Sequence, residues 1–184
     1  MISIPGGSFP FGPDKKKVDV KDFMIDRTEV TNAAYKAVVK DFEFADGRGN
    51  HPVVEISYEE AENYCVAVGK RLPTGPEWER AARGDDGRAY PWGNEFVGAN
   101  ANTSESGTAD TVAVGSFPKG KSPYGVLDLC GNASEWVDEM GKETAYRHRR
   151  GGSFFDVATN AATYSISNAL YDDAHPYNGF RCAK

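Results

Sequence analysis

Three cysteines, three histidines and one run of oxygen donors are the groups in this 184-residue chain that could do metal, redox or nucleophilic chemistry. Cys65, Cys130 and Cys182 match no zinc spacing and are too few for a disulfide scaffold, so they allow at most one bridge and one remaining thiol. His51, His148 and His175 are scattered, with no carboxylate at ligand spacing, and read as surface or turn histidines rather than metal ligands. The stretch DLCGNASEW is different. It places the carboxylates of Asp128 and Glu135 on either side of a turn with backbone carbonyls, a mixture that suits calcium. The alternative is that Glu135 and Asn132 serve only to hydrogen-bond the turn.

The elements that must position these groups change character along the chain. Thr31, Ser57 and Thr74 each precede a helical pattern, NAAYKAVVK, YEEAENYCVAV and GPEWERAAR. Ser57 with Glu60, and Thr74 with Glu77, have capping-box spacing. In the second of these helices Ala61, Tyr64, Cys65 and Val68 form one apolar stripe that must face a core, and Gly69 supplies the stop. From about Pro91 the pattern becomes short strand-like runs, TVAVGSF, GVLDL and RGGSFF, separated by turn residues. Helices first and short strands later predict an α+β fold.

With 40% hydrophobic and 12% aromatic residues, the chain can bury one sizeable core, and residues 1–184 read as one domain. A net charge of -6 argues against nucleic acid as a partner. The basic clusters Lys15 to Lys17 and Arg147 to Arg150, the latter interrupted by His148, read as solvated surface. No stretch is long and apolar enough to span a membrane, and MISIPGGSFPFG lacks the features of a secretory signal. The expectation is a monomer that is cytoplasmic or carried on a virus particle.

The ordered motifs IPGGSF, DRTEVTNAAY, GKRLPTGPEWERAARG, YPWGN, VGSFPKGKSPYGVLDLCGNASEWVDE, RRGGSFF and NGFRCAK cover essentially the whole chain, and in that order they resemble the formylglycine-generating enzyme family. The resemblance implies a C-type lectin-like fold with short helices and small sheets. It also implies an activity, oxidation of a substrate cysteine by a cysteine pair that binds copper shortly after the GGS motif. Those two positions fall on Asp156 and Ala161, and no cysteine lies between Cys130 and Cys182, so neither catalysis nor copper is expected. The histidine-bearing helical domain of the iron-dependent relatives is missing, so iron is not expected either. The resemblance further pairs Cys65 with Cys182, makes Cys130 a core residue, and places a structural calcium on Asp128, Gly131, Ala133 and Glu135. A second calcium site, near Asn102 and Asp110, is not carried over because the chain is shortened there.

From Gly151 to Ala183 the chain contains no Lys, Glu, Gln, Met or Trp. Every residue that does occur there can be written with a codon ending in a pyrimidine, the set reached when the adenines of Asn codons are randomised. Variable proteins of diversity-generating retroelements resemble this family and diversify this stretch by that process. A buried strand also lacks Lys and Glu, but it is not rich in Asp, Asn, Thr, Ser, Tyr and His as this segment is. Tyrosine with small polar residues is the composition of adaptable binding loops. The expected contact surface draws on Phe155, Asp156, Thr159, Asn160, Tyr164 and Ile166. It continues through Asn168, Tyr171, Asp172, His175, Tyr177 and Asn178. The chain therefore reads as a non-catalytic binder of a protein or cell-surface ligand. The alternatives are an oxidative enzyme using atypical residues and a calcium-dependent lectin, the latter weakened because no Glu-Pro-Asn sugar motif is present.

Overall fold

Ser57 and Thr74 close the two capping boxes in the computed structural model, which describes every residue except Lys142 and Thr144. The Ser57 N–H donates to Glu60 at 2.8 Å and the Thr74 N–H to Glu77 at 2.9 Å, while the Glu60 and Glu77 N–H groups donate back to the two hydroxyls. These residues start α2 (Tyr58–Ala67) and α3 (Gly75–Arg83). Thr31 caps the shorter α1 (Asn32–Val38), which ends before the expected Lys40 because Val39 turns to extended backbone. A pair of adjacent β-branched residues is a weak place to continue a helix.

The order expected from the sequence, helices and then strands, is corrected at the front. Four short strands precede α1: β1 (Ile2–Ile4), β2 (Gly7–Phe11), β3 (Lys16–Val20) and β4 (Phe23–Ile25). The pair β2–β3 is nested inside the antiparallel pair β1–β4. Buried Ile4, Phe23 and Ile25 pack on Trp78, Ala81 and Ala82 of α3.

The strand-like runs are also corrected. TVAVGSF and GVLDL are irregular because their backbone donors bond loops and side chains instead of a ladder. Val112 N donates to Asn132 Oδ1, Gly115 N to Asp128 Oδ2 and Leu127 N to the Arg27 carbonyl. In RGGSFF the ladder stops at Arg150, since Gly151 and Gly152 both have positive φ. The larger sheet comprises β5 (Ser134–Met140), β6 (Tyr146–Arg150), β7 (Ser167–Leu170) and β8 (Asn178–Gly179), in the order β7-β6-β5-β8. Only β5–β8 is parallel; Trp136 pairs with Arg149, and Ser134 with Asn178. The result is a loop-rich α+β fold.

The C-terminal residues are fixed on two sides. Met24 and Lys184 exchange two backbone hydrogen bonds at 2.8 Å, and Arg71 and Ala183 exchange two more. Inside them Cys65 and Cys182 form a disulfide within the cluster of Tyr35, Tyr64, Trp136 and Phe180. Cys130 is a buried free thiol in a second cluster with Tyr90, Ala101, Ala161 and Ala162.

Candidate binding surface

Residues 151–177 leave the sheet after β6, rejoin it at its edge as β7 alongside β6, and reach β8 on the other side of β5, so their two ends rest on neighbouring positions of β5, Glu135 and Ser134. Gly152, at φ 63°, lets the loop fold back: a Cβ there would meet the Cα and Cβ of Ala161 at 3.0 Å. The next turn is held by Asp156, whose Oδ2 accepts from the Ser153 N–H at 2.9 Å and the Ser153 hydroxyl at 2.7 Å. Thr163 is buried and ties the middle of the segment to the Arg88 and Ala89 carbonyls. Between these anchors the backbone runs over the surface.

The positions expected from the sequence separate into three groups. Phe155, Thr159, Asn160, Ile166, Asn168, Tyr171, Asp172 and His175 are exposed. Asp156, Tyr164 and Tyr177 are half-buried; Tyr164 lies over the Arg83 guanidinium at 5.4 Å and packs on the Tyr90 cluster. Asn178 is fully buried in β8, where its side chain accepts from Arg149 and donates to the Asp173 carbonyl, so it supports the surface from beneath.

The structure brings some of these side chains together across the chain. Tyr177 is stacked between Phe155, at 6.2 Å, and His175, at 5.0 Å, with the rings nearly parallel. Phe155 is 74% exposed, and Val157, Leu170 and Tyr171 are further exposed apolar residues on the same segment. Asp156, Asn160 and Ile166 line a cavity of about 260 Å³ with Arg149, Gly152, Ser165 and Ser167. Val157, Leu170 and Arg149 were not among the residues expected. The first two carried the same composition signal as their neighbours; Arg149 did not.

Arg149 and Arg150 correct the reading of their cluster as solvated surface, since both are buried. Arg150 is paired with Glu79 at 2.9 Å and Glu139 at 3.1 Å. Arg149 lies over the rings of Trp136 and Tyr177 and has no carboxylate partner among the described residues. Burial pulls its pKa below the ordinary guanidinium value, with Tyr177, Asp173 and Asp156 opposing the shift.

At the DLCGNASEW turn, Asp128 and Asn132 adopt positive φ, and Gly131 donates its N–H to the Gly151 carbonyl, which joins this turn to the start of the surface segment. Glu135 is not free to ligate an ion. Its Oε2 accepts from Arg181 Nε at 2.6 Å and Trp78 Nε1 at 2.7 Å, and its Oε1 accepts from Arg181 Nη2 at 2.7 Å. Arg181 also donates to the Leu127 and Asp128 carbonyls, and Asp128 Oδ2 is engaged by the Gly115 N–H. The cation among these oxygens is the guanidinium, and the Glu135 carboxylate as arranged does not fit the role of a calcium ligand. Glu29, missed in the sequence, lies in the same group; burial first, then the Asp128 and Glu135 charges, raise its carboxyl well above the usual range. Among the described residues no group of three or more His, Cys, Asp and Glu is arranged to hold a metal. His51 contacts Thr111, His148 contacts Glu139 and His175 contacts Asp173, so the histidines remain dispersed.

The model of the sulfatase-modifying factor enzyme 1-like domain matches residues 1–184. The chain belongs to this family. It is 30% identical to inactive C-alpha-formylglycine-generating enzyme 2 of Bos taurus, with all of this chain and 87% of the relative covered. It is 29% identical to the formylglycine-generating enzyme of Thermomonospora curvata, again over all of this chain and 92% of the relative. Its fold matches that of Treponema denticola variable protein 1 with a TM-score of 0.88 at 20% identity, covering 100% of this chain and 94% of that one. Family membership thus includes both a formylglycine-generating enzyme and a relative named inactive. Asp156 caps the Ser153 turn and Ala161 is fully buried against Gly152, so the cysteine pair is replaced by groups that cannot bind copper as thiolates or capture a thiol. The remaining free thiol, Cys130, is held protonated by burial. The chain is non-catalytic with respect to the family's cysteine-pair reaction. Among the described residues no helix is long and apolar enough to cross a membrane.

Proposed function

We propose that residues 1–184 form one C-type lectin-like domain that works as a variable, ligand-binding protein of a diversity-generating retroelement. Its C-terminal segment, 151–184, presents a diversified surface to a protein target. The observation that carries this reading is the Phe155–Tyr177–His175 stack, in which half-buried Tyr177 supports exposed Phe155 and His175, built on a segment of restricted composition whose ends are fixed to one sheet. Aromatic side chains give large contact area at low entropic cost, and contiguous exposed apolar groups mark interaction surfaces. A rigid scaffold carrying variable loops lets the surface change without altering the fold. The loss of both thiol positions supports the same reading, since a surface released from catalysis is free to vary.

The test is the sequence of the gene's neighbourhood. The expected result is a near-copy of the codons for residues 151–184 beside a reverse transcriptase gene, differing at adenines and matching the exposed positions. Variation among homologous copies spread evenly over the chain would overturn the proposal.

A further inference from the structure

Arg149 is 7% exposed, yet its charge is not matched by a carboxylate in contact among the described residues. Its neighbours in the larger ion network are paired: Arg150 with Glu79 and Glu139, Arg181 with Glu135. Trp136 and Tyr177 lie against the Arg149 guanidinium, at 5.5 and 5.6 Å, so its interactions with further polar groups must be made through its edge. On that edge Nη1 donates to Asn178 Oδ1, while the buried Nε–H has no partner. A buried guanidinium with no counter-charge in contact is costly to maintain; Arg150 also leaves its Nε–H unpartnered but has two carboxylates, so the missing counter-charge is what sets Arg149 apart.

This residue also lines the 260 Å³ cavity that opens among Gly152, Asp156, Asn160, Ser165 and Ser167, beside the aromatic stack. The space is that of several water molecules and admits a short side chain. Hydroxyl and amide groups at its rim supply further donors. A carboxylate is the group that matches a guanidinium edge, through charge-assisted hydrogen bonds.

Resting on the binding reading above, we propose that this cavity is the specificity pocket of the surface and receives an aspartate or glutamate side chain of the protein target, held by Arg149. Asp156 lines the same cavity and opposes the incoming charge, so it sets how tightly the pocket holds an acid. Its Oδ2 is already engaged by Ser153, which keeps it in place. Because Asp156 lies in the segment expected to vary and Arg149 lies outside it, the pocket combines a fixed cation with an adjustable wall.

The experiment uses the ¹⁵N-labelled full chain, with propionate as a stand-in for the acidic side chain and propionamide as its neutral counterpart, each against sodium chloride at equal ionic strength. Propionate is expected to shift the Arg149 Nε–H signal and the Gly152 and Ser167 amides, and propionamide to leave them in place. Asp156→Asn, which retains an acceptor for Ser153, should tighten propionate binding about threefold by removing a like charge. Arg149→Met should abolish the response. Since that variant loses a buried packing group, Ser167→Glu is the second test: a carboxylate placed at the rim should suppress the propionate response while the chain stays folded. Equal shifts from propionate and propionamide, or weaker propionate binding by Asp156→Asn, would overturn the pocket. The two proposals fail separately: an absent template copy does not alter the propionate titration, and an absent titration beside a present template leaves the variable binder standing.

Discussion

Glu135 and Arg181 form a fully buried, two-point ion pair, with Nε–Oε2 at 2.6 Å and Nη2–Oε1 at 2.7 Å. The pair links β5, through Glu135, to the residues that follow β8, and Trp78 of α3 adds a third hydrogen bond. Glu135→Gln removes the one carboxylate in contact with the guanidinium, leaving only the more distant charges of Glu29 and Asp128 in a buried site. It should therefore lower stability by about 3 to 5 kcal/mol, read from urea unfolding followed by tryptophan fluorescence. A loss below about 1 kcal/mol would show that the pair is not the centre of this junction.

The same geometry bears on calcium. With both Glu135 oxygens and the Asp128 carbonyl engaged by Arg181, chelation should leave the thermal unfolding midpoint unchanged, and millimolar calcium should not raise it. A calcium-dependent rise in the midpoint, by differential scanning fluorimetry, would mean that Arg181 is displaced and that these oxygens re-form around the ion.

The disulfide Cys65–Cys182 closes a sequence separation of 117 residues inside the Tyr35, Tyr64 and Phe180 cluster. Reduction should cost about 2 to 4 kcal/mol, chiefly by releasing the unfolded chain, and the double variant Cys65→Ser, Cys182→Ser should lose at least as much because hydroxyls are poorly suited to that apolar site. Unfolding curves with and without a phosphine reductant measure it. Coincident curves would show that the bridge does not contribute to stability.

Helix starts were legible in the sequence because capping is local: Ser57 finds Glu60, and Thr74 finds Glu77, three residues away. The exchange of the family's cysteines for Asp156 and Ala161 was legible for the same reason, as a fixed offset from the GGS motif. The large sheet was not. β8 has two residues and pairs in parallel with a strand some forty positions earlier, a contact that no periodicity announces. Arg149 and Arg150 looked like solvated charge because the cause of their burial lies elsewhere: Arg150 meets Glu79 from 71 residues away, and Arg149 meets Tyr177 only once the C-terminal segment has returned. The calcium expectation rests on donor types and on the family resemblance, and neither shows that an arginine from the chain's end donates to both Glu135 oxygens.

Glu77 gives the pH dependence of one helix start. Burial acts to raise its carboxyl, but Arg71, at 2.6 Å on both oxygens, and the Thr74 N–H together hold it below the usual carboxylate range. A depressed folded-state pKa means stability that is present above the unfolded value and lost as pH falls through the folded one. Glu77→Gln keeps the cap and removes the charge, so the variant should be less stable than the parent by about 1 to 2 kcal/mol at neutral pH. That gap should close as the pH drops below the ordinary carboxylate range. A gap independent of pH would assign the loss to packing rather than to the Arg71–Glu77 pair.

Phe155 and Asn178 belong to the same segment and should respond in opposite ways to substitution. Phe155 is 74% exposed and its ring meets Tyr177 on the surface, so Phe155→Ala should change stability by less than about 0.5 kcal/mol. Asn178 is fully buried and supplies the hydrogen bond that Arg149 makes, so Asn178→Ala leaves a buried guanidinium unsatisfied and should cost about 1 to 3 kcal/mol. Urea unfolding of both variants separates surface from support. The contrast bears on the proposed diversification, because a segment can vary freely only where its side chains do not carry the fold. If Phe155→Ala proved as damaging as Asn178→Ala, the stack would be part of the core's stability, and residue 155 could not serve as a freely exchangeable contact.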